Sequence, residues 1–300
     1  MKRVHVIFNP LSGRGRLSHD IEDLILGLVR QGYCVSLFET DGPEEAMHEA
    51  QERAEKQDVD LLISFGGDGT LREVINGLMR APEPLPVCPF GGGTANDFAS
   101  YLGIPKEVRD FLRVFPNFSL HWLDLGESTG QYFINVLAAG TLSNIAHRTE
   151  PNLKNLLGPI AYYLEGIREV ITEDLFGNIR IECEQFEYMG EYLVFFLSNS
   201  SSIGGFFHMA PHADTQDGLF EGVLIRKAPL PALLEISIRL QEGKHIESPY
   251  VSYFQTDRVR FWTEDELDMD GEFFLPNTPA EGIEARVLTK RIPFYFELER

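Results

Sequence analysis

The chain has 300 residues, of which 43% are hydrophobic and 24% are charged, as in an ordinary soluble globular protein. Its formal net charge of −20 argues against a nucleic-acid-binding protein, because such proteins carry a basic face that neutralises phosphates. No apolar run approaches the roughly 18 residues that a membrane-spanning helix needs, so we expect a cytoplasmic protein. A chain of this length exceeds what one hydrophobic core usually fills, and two domains are expected.

Predicted strands and helices alternate through the first part of the chain, which is the pattern of a parallel sheet covered by helices. The apolar runs and helical spacings, in chain order, are Val4–Phe8, Leu17–Arg30, Cys34–Glu39, Glu44–Lys56, Val59–Phe65 and Leu85–Phe90. We therefore predict a doubly wound α/β nucleotide-binding domain over residues 1–120.

Strand-like stretches dominate the rest of the chain, from HWLDLGES at His121 to EARVLTK at Glu284. Two helical patterns interrupt them, Leu156–Ile171 and Leu230–Leu240. The sequence thus predicts an antiparallel β-sandwich-like domain with inserted helices over residues 121–300, whose final ~12 residues pack back on the first domain.

Three of the predicted strands end in a glycine-rich, hydroxyl-bearing loop. The loops are FNPLSGRG after Val4–Phe8, SFGGDGTLREV after Val59–Phe65 and PFGGGTANDFA after Leu85–Phe90. The carboxyl ends of parallel strands share one edge of the sheet, so we expect the loops to converge on one ligand. Glycines permit positive φ or a close approach of the backbone to a ligand, and a helix start adds N–H groups that suit phosphate. The spacing matches neither G-x-x-x-x-G-K-[ST] nor G-x-G-x-x-G.

An aspartate, Asp68, lies at the tip of the second loop. As a hard oxygen ligand it could hold Mg²⁺ directly or through water. Aspartate is also favoured as a helix N-terminal cap, so the sequence leaves two interpretations of this residue open.

Together, NPLSGRG at Asn9, GGDGTLREVING at Gly66 and GGGTANDFA at Gly91 resemble the diacylglycerol kinase catalytic domain family. That family includes bacterial soluble lipid kinases and sphingosine kinases, within a larger group that also holds NAD kinases and phosphofructokinases. The likeness covers the whole chain, because the later D-G at Asp217 and D-G-E at Asp270 also occur where the family has them. The resemblance implies an ATP-dependent lipid kinase that transfers the γ-phosphate to diacylglycerol or a similar lipid alcohol, with Mg²⁺ as cofactor.

The resemblance also implies roles for individual residues. ATP would be bound by Asn9, Pro10, Leu11, Ser12, Gly13, Thr40, Gly66, Gly67, Asp68, Gly69, Thr70, Leu71, Arg72 and Thr94. A structural magnesium in the second domain would be held by Asp214, Asp217 and the carbonyl of Leu219. The catalytic residues would be Asp68, Asp270 and Glu272.

One acid of the D-G-E stretch would accept the proton of the lipid hydroxyl, and of Asp270 and Glu272 we favour Glu272. Asp268, Asp270 and Glu272 stand at alternate positions, which on a strand would put all three on one face. A solvated acidic face is the alternative interpretation of this stretch.

Two alternative functions and one departure from the family pattern remain open. NAD kinase shares GGDGT, but the T-x-T-G-S-T-A-Y-like stretch of that family is absent, and SNSSSIGGF at Ser198 is the nearest segment. A nucleotide-sensing protein without catalysis is the second alternative, although the acids at Asp68 and Asp270 are present. The departure is Ser100, where the family often has arginine.

The predicted partners are ATP and a lipid substrate at a membrane surface, with no nucleic acid. Because the net charge is negative, we expect membrane contact to be peripheral and transient, through local basic residues such as Arg148, Lys154, Lys290 and Arg291. The sequence does not fix the oligomeric state and leaves a homodimer open.

Overall fold

A computed structural model describes residues 2–12, 17–92, 96–140, 176–203, 208–276 and 280–298. The chain divides into two compact units. Unit 1 contains residues 1–125, 131–134 and 288–300, and unit 2 contains residues 126–130 and 135–287. The chain therefore leaves unit 1 and returns to it twice.

Unit 1 is an α/β structure built on a parallel sheet. Its strands β1 to β4 run in the order β4-β3-β1-β2, and they span Arg3–Phe8, Cys34–Glu39, Leu61–Gly66 and Val87–Gly91. Its helices α1 to α5 span Leu17–Arg30, Glu45–Lys56, Asp68–Arg80, Asp97–Tyr101 and Val108–Val114, and a 3₁₀ turn follows at Phe115–Asn117. The predicted strands and helices are found, with ends that differ by one or two residues.

The core of unit 1 follows from the apolar runs of its strands. All six residues of β3 are buried, as expected for a parallel strand covered on both faces. The rings of Phe8, Phe65, Phe90 and Phe111 form a continuous row, with neighbouring centroids 4.7 to 5.2 Å apart. This row lies beneath the carboxyl ends of the strands and fixes the positions from which the glycine-rich loops depart.

Helices α2 and α3 pack closely because α3 has a glycine at the contact. A Cβ atom added to Gly77 would lie 2.1 Å from the carbonyl oxygen of Met47, which is backbone and cannot rotate away. The glycine that ends the motif GGDGTLREVING is therefore explained by the close packing of α3 against α2.

Replacing Gly77 by Ala is expected to destabilise the protein by up to about 2 kcal/mol. The two helices must separate to admit the methyl group, which costs about 1–3 kcal/mol, and the ~1 kcal/mol that Ala gains over Gly in a helix interior offsets part of this cost. Denaturant titration measures it as a lower midpoint. The control is Gly42→Ala, where no atom lies within 4 Å of the added Cβ. A Gly77→Ala protein as stable as the control would contradict the packing argument.

Unit 2 is a β structure whose recorded strand pairings, among the described residues, are all antiparallel. The strands that follow β4 in the chain are β5 Ser119–Ser128, β6 Gln131–Phe133, β7 Val136–Ala139, β8 Gly177–Glu182, β9 Glu187–Ser198, β10 Phe220–Arg226, β11 Val251–Thr256, β12 Arg258–Thr263, β13 Leu267–Met269, β14 Glu272–Phe274 and β15 Ile283–Phe296. Strands β5 and β15 contribute residues to both units, and β6 belongs to unit 1.

Strand β9 organises unit 2, because it pairs with β8 over its first half and with both β7 and β10 at its end, around residues 195–198. One described helix, α6, spans Leu230–Arg239 and corresponds to the second predicted helical pattern. The first, Leu156–Ile171, lies outside the described residues. Within the described ranges, no helix has both the length and the apolar character required to cross a bilayer.

Candidate functional site

The glycine-rich loops lie next to one another at the carboxyl edge of the sheet of unit 1. The Asn9 N–H donates to the Phe65 carbonyl at 3.0 Å, and the Gly92 N–H donates to the Gly66 carbonyl at 2.7 Å. Thr40, which follows β2, donates its N–H to the Phe8 carbonyl at 2.8 Å. The structure thus brings the described parts of the predicted nucleotide loops together. Gly13 and Thr94 lie outside the described residues.

Polar side chains tie the first loop to the start of α3. The Asn9 Nδ2 donates to Thr70 Oγ1 at 3.1 Å, and its Oδ1 accepts the N–H of Leu11 at 3.0 Å. The Ser12 Oγ lies 3.4 Å from Thr70 Oγ1 and accepts the Gly67 N–H at 3.3 Å. Asn9 and Thr70 therefore hold this loop against the helix start. The Leu11 side chain, by contrast, is 81% exposed and is not part of the described hydrophobic core of unit 1.

Positive φ is not the reason for the glycines of GGDG. Gly67 has a φ of −91°, and Gly66 and Gly69 are not among the glycines with positive φ. A Cβ at Gly66 would lie 2.4 Å from Thr70 Oγ1, so this glycine makes room for the threonine. Among the described residues, no atom lies within 4 Å of a Cβ built on Gly69, which leaves space for a ligand to approach the backbone.

Asp68 is the first residue of α3, and its carboxylate caps a different helix. It accepts the backbone N–H groups of Asp97 at 3.2 Å and of Phe98 at 3.4 Å, which begin α4. Burial raises the pKa of the Asp68 carboxyl, against the opposing effect of these donors. The interpretation of Asp68 as the N-terminal cap of its own helix is therefore wrong, because the N-cap of α3 is Gly67 and the Asp68 carboxylate binds the start of α4. A role of Asp68 toward Mg²⁺ stays a prediction.

A small cavity lies between the ends of β3 and β4, and Ser64, Gly66, Asp68, Gly91 and Asn96 are among its lining residues. The Ser64 Oγ is buried and has no hydrogen-bond partner among the residues that the structure describes. The cavity is therefore bordered by both Ser64, with its buried hydroxyl, and Asp68.

Asn96, which was not predicted from the sequence as a site residue, packs against the start of the third loop. Asn96 is buried with a φ of 52°, and a Cβ at Gly91 would lie 2.6 Å from its side chain. The Asn96 carbonyl accepts the N–H of Ser100 at 2.9 Å. Ser100 lies in α4 and is half-buried, so the position where the family often has arginine is a helix position. The signal for Asn96 was the N-D pair in GGGTANDFA.

Asn76, also in the second motif, connects α3 to β6 within unit 1. Its Nδ2 donates to the Tyr132 carbonyl at 2.8 Å, and its Oδ1 accepts the Tyr132 N–H at 3.0 Å. Its place in GGDGTLREVING is therefore explained by a structural contact. Two predicted nucleotide-binding residues lie in the same helix: Leu71 is buried in the core, and Arg72 is half-buried.

In unit 2, the D-G-E stretch forms a hairpin and not a single strand. Strands β13 and β14 pair with Met269 opposite Glu272 and Asp268 opposite Phe273, so Asp268 and Glu272 lie on opposite faces. The two residues between the strands have positive φ, 50° at Asp270 and 89° at Gly271. The prediction that the three acids share one face is wrong, because Asp-Gly favours a type I′ turn that reverses the chain.

The two acids of this hairpin turn have different surroundings. Asp270 is buried, and its Oδ1 accepts the N–H groups of Asn135 at 3.0 Å and Val136 at 2.8 Å. Glu272 is exposed at the start of β14. Its carboxylate is thus the more accessible of the two to a substrate hydroxyl.

The predicted magnesium residues lie in one turn of unit 2, just before β10. The Asp214 Oδ1 accepts the Gln216 N–H at 3.0 Å, and the Asp217 Oδ1 accepts the Leu219 N–H at 2.9 Å. Both aspartates are exposed, and Gly218 has a φ of 80°. Two carboxylates and a carbonyl are hard oxygen donors of the kind that Mg²⁺ takes, so the donor chemistry fits.

Comparisons with known proteins match both parts of the chain. The model of the diacylglycerol kinase catalytic domain matches residues 3–127. The model of the YegS C-terminal NAD kinase beta sandwich-like domain matches residues 135–289. A diacylglycerol kinase of Staphylococcus haemolyticus (strain JCSC1435) is 35% identical over 276 residues, which are 91% of this chain and 82% of that protein. The chain belongs to the diacylglycerol kinase family. The family prediction is confirmed, and with it the prediction of a kinase.

Further relatives agree in sequence and in fold. A diacylglycerol kinase of Staphylococcus aureus (strain MRSA252) is also 35% identical, over 91% of this chain and 86% of its own. A solved diacylglycerol kinase structure from Bacillus anthracis str. Sterne superposes with a TM-score of 0.78 at 24% identity, covering 99% of this chain and 97% of that one. A second structure from that organism has a TM-score of 0.83 at 25% identity and covers 99% and 95%. The predicted fold class is confirmed.

Proposed function

We propose that this diacylglycerol kinase family member transfers the γ-phosphate of ATP to the hydroxyl of diacylglycerol or a similar lipid alcohol. The observation that carries the proposal is the arrangement in unit 1, where three strand ends place Asn9, Gly66–Arg72 and Gly92 side by side at one edge of the sheet. Phosphoryl transfer needs positioned phosphates and stabilised charge more than covalent chemistry from the protein.

The nucleotide is assigned to unit 1. The backbone at Gly69 is open to approach, and the start of α3 supplies N–H groups and the positive end of a helix dipole. The bonds between Asn9, Ser12 and Thr70 hold two of the loops in a fixed relation before a ligand arrives. Such preorganisation lowers the entropic cost of positioning the phosphates.

Magnesium is assigned in two places. The Asp68 carboxylate would hold the ion that accompanies ATP, and Asp214, Asp217 and the Leu219 carbonyl would hold a structural ion in unit 2. When bound, Mg²⁺ supplies positive charge that offsets the negative charge of the transferred phosphoryl group. The small cavity lined by Asp68 also has the buried Ser64 hydroxyl among its lining groups.

The proton acceptor is assigned to Glu272. As the hydroxyl oxygen of the lipid forms its bond to the γ-phosphorus, the bond from that phosphorus to the oxygen of ADP breaks, and the hydroxyl proton passes to the Glu272 carboxylate. Asp270 is less suited to this role because its Oδ1 already accepts two backbone N–H groups.

The test is incubation of the purified protein with γ-labelled ATP, Mg²⁺ and a panel of lipid alcohols in mixed micelles, with NAD as a parallel substrate. We expect label in a phosphorylated lipid. Labelled NADP would identify an NAD kinase instead, and ATP binding without any labelled product would favour the nucleotide-sensing alternative. Light scattering on the same preparation measures the oligomeric state, for which the sequence leaves a homodimer open.

Access to the lipid is assigned to transient contact with the bilayer. Lys290 and Arg291 are exposed, whereas Arg148 and Lys154 lie outside the described residues. We expect weak co-sedimentation with anionic vesicles that decreases with salt and decreases further in a Lys290→Gln/Arg291→Gln double variant, because attraction between exposed charges is screened. Neutral vesicles are the control. Tight, salt-resistant binding would contradict this picture.

A further inference from the structure

The turn that precedes Glu272 rests on a short segment of backbone between β6 and β7. Asp270 accepts the N–H groups of Asn135 and Val136 through its Oδ1, and its own N–H donates to the Val136 carbonyl at 3.0 Å. Three hydrogen bonds therefore connect the turn to this segment. Asp270 has a left-handed φ of 50°. Such a φ at a non-glycine residue costs energy, and the surrounding contacts hold it in place.

The same segment carries a buried polar side chain that the proposed mechanism does not use. The Asn135 Nδ2 donates to the Ser202 carbonyl at 2.9 Å, and its Oδ1 accepts a hydrogen bond from the Ser200 Oγ. The Asn135 carbonyl accepts the Asn199 N–H at 2.9 Å. Asn135, Ser200 and Ser202 are 7%, 0% and 1% exposed, so water does not compete for these bonds.

The carboxamide of Asn135 is thus fixed at both ends. Its oxygen and its nitrogen each have a partner in the segment that follows β9, and neither can be exchanged for the other without leaving a buried group unpaired. Buried networks of this kind hold one geometry, because a partly satisfied alternative is costly in a low dielectric. The orientation of the Asn135 and Val136 N–H groups follows from that geometry.

We propose that Asn135 is a positioning residue for the phosphoryl-transfer reaction. Its side chain, held by Ser200 and Ser202, orients the two N–H groups that bind the Asp270 carboxylate, and Asp270 in turn places Glu272 two residues later. This inference rests on the proposed function, in which Glu272 accepts the hydroxyl proton. Asp270 then acts as an anchor for the turn and not as the base.

The test variant is Ser200→Ala, which removes the donor to the Asn135 Oδ1 and leaves every backbone partner of Asp270 in place. We expect kcat with the lipid to fall about tenfold to a hundredfold, since a displacement of the order of 1 Å costs about that much, while KM for ATP changes less than about twofold. The acid limb of the pH profile of kcat is expected to persist, because the base itself is unchanged.

The matched control is Ser128→Ala. Ser128 is also buried in unit 2, and its Oγ donates one hydrogen bond, to the Glu284 carbonyl at 2.9 Å. We expect it to lose similar thermal stability and to keep kcat. If both variants lose similar stability and both keep kcat, the Asn135 network is only structural and the proposal is wrong.

Hydrogen–deuterium exchange of the segment 267–274 gives a readout that needs no turnover. We expect faster exchange at this hairpin in Ser200→Ala and unchanged exchange in Ser128→Ala. Unchanged exchange in Ser200→Ala would overturn the proposal even if the wild-type protein is active. Faster exchange in Ser200→Ala, together with a wild-type protein that phosphorylates no lipid, would retain the anchor and overturn the proposed function instead. Should Ser200→Ala fail to fold, Ser200→Cys replaces it in both measurements, with the same expected results.

Discussion

Replacing Glu272 by Gln is expected to lower kcat by at least about a hundredfold while the affinity for ATP changes little. Gln has the shape of Glu but cannot take a proton. Glu272 is exposed at the start of β14, directly after a turn that is anchored by three hydrogen bonds. Because a general base acts only as the hydroxyl proton departs, the loss should appear in kcat and not in nucleotide binding.

The comparison variant is Asp270→Asn, whose side-chain oxygen can still accept the N–H groups of Asn135 and Val136. We expect a smaller loss of kcat, with the acid limb of the pH profile retained. In Glu272→Gln that limb should be absent, because protonation of the base produces it. If Glu272→Gln turns over lipid normally while ATP binding is intact, the assignment of the base is lost and Glu272 is an exposed surface residue.

Replacing Asp68 by Ala is expected to abolish most of the activity while the protein remains folded. Two functions are lost together, the carboxylate charge assigned to Mg²⁺ and the acceptor for the N–H groups of Asp97 and Phe98. Loss of a capping acceptor costs about 1 kcal/mol, which lowers the melting temperature without unfolding the chain.

Asp68→Asn removes the charge and keeps part of the cap. The Asp97 and Phe98 N–H groups bind different oxygens of Asp68, and the amide of Asn offers one oxygen, so we expect a melting temperature between those of the wild type and Asp68→Ala. Its activity should remain low and should require more Mg²⁺, as measured by titrating the ion at saturating ATP. Near wild-type turnover in Asp68→Asn would show that Asp68 only caps α4 and that its charge is not needed for Mg²⁺.

The parts of the fold that follow from local pattern could be predicted from the sequence. The apolar run of β3 and the helical spacing of α3 lie within a few residues of one another, and the glycine loop between them is a local consequence. Convergence of the loops followed from the parallel sheet, where strand ends meet at one edge.

The contacts that the sequence did not predict join residues that are distant in the chain. Asp68 meets Asp97 across 29 residues, and Asp270 meets Asn135 across 135. Neither partner can be recognised from spacing, because hydrogen bonds between loops depend on how the sheet places them. The hairpin at Asp270 is a different case, since Asp-Gly between two short alternating runs was a local signal for a type I′ turn.

The discontinuous course of unit 1 limits how the chain can be cut. A fragment that ends at residue 127, where the match to the catalytic domain model ends, would lack residues 288–298. Ile292 and Phe294 in that stretch are fully buried in the core of unit 1, and the Phe294 ring lies 5.4 Å from that of Phe98. Such a fragment would expose an apolar surface and the open edge of β4, which favours aggregation. A soluble nucleotide-binding fragment would therefore need the last strand rejoined by a linker after residue 134.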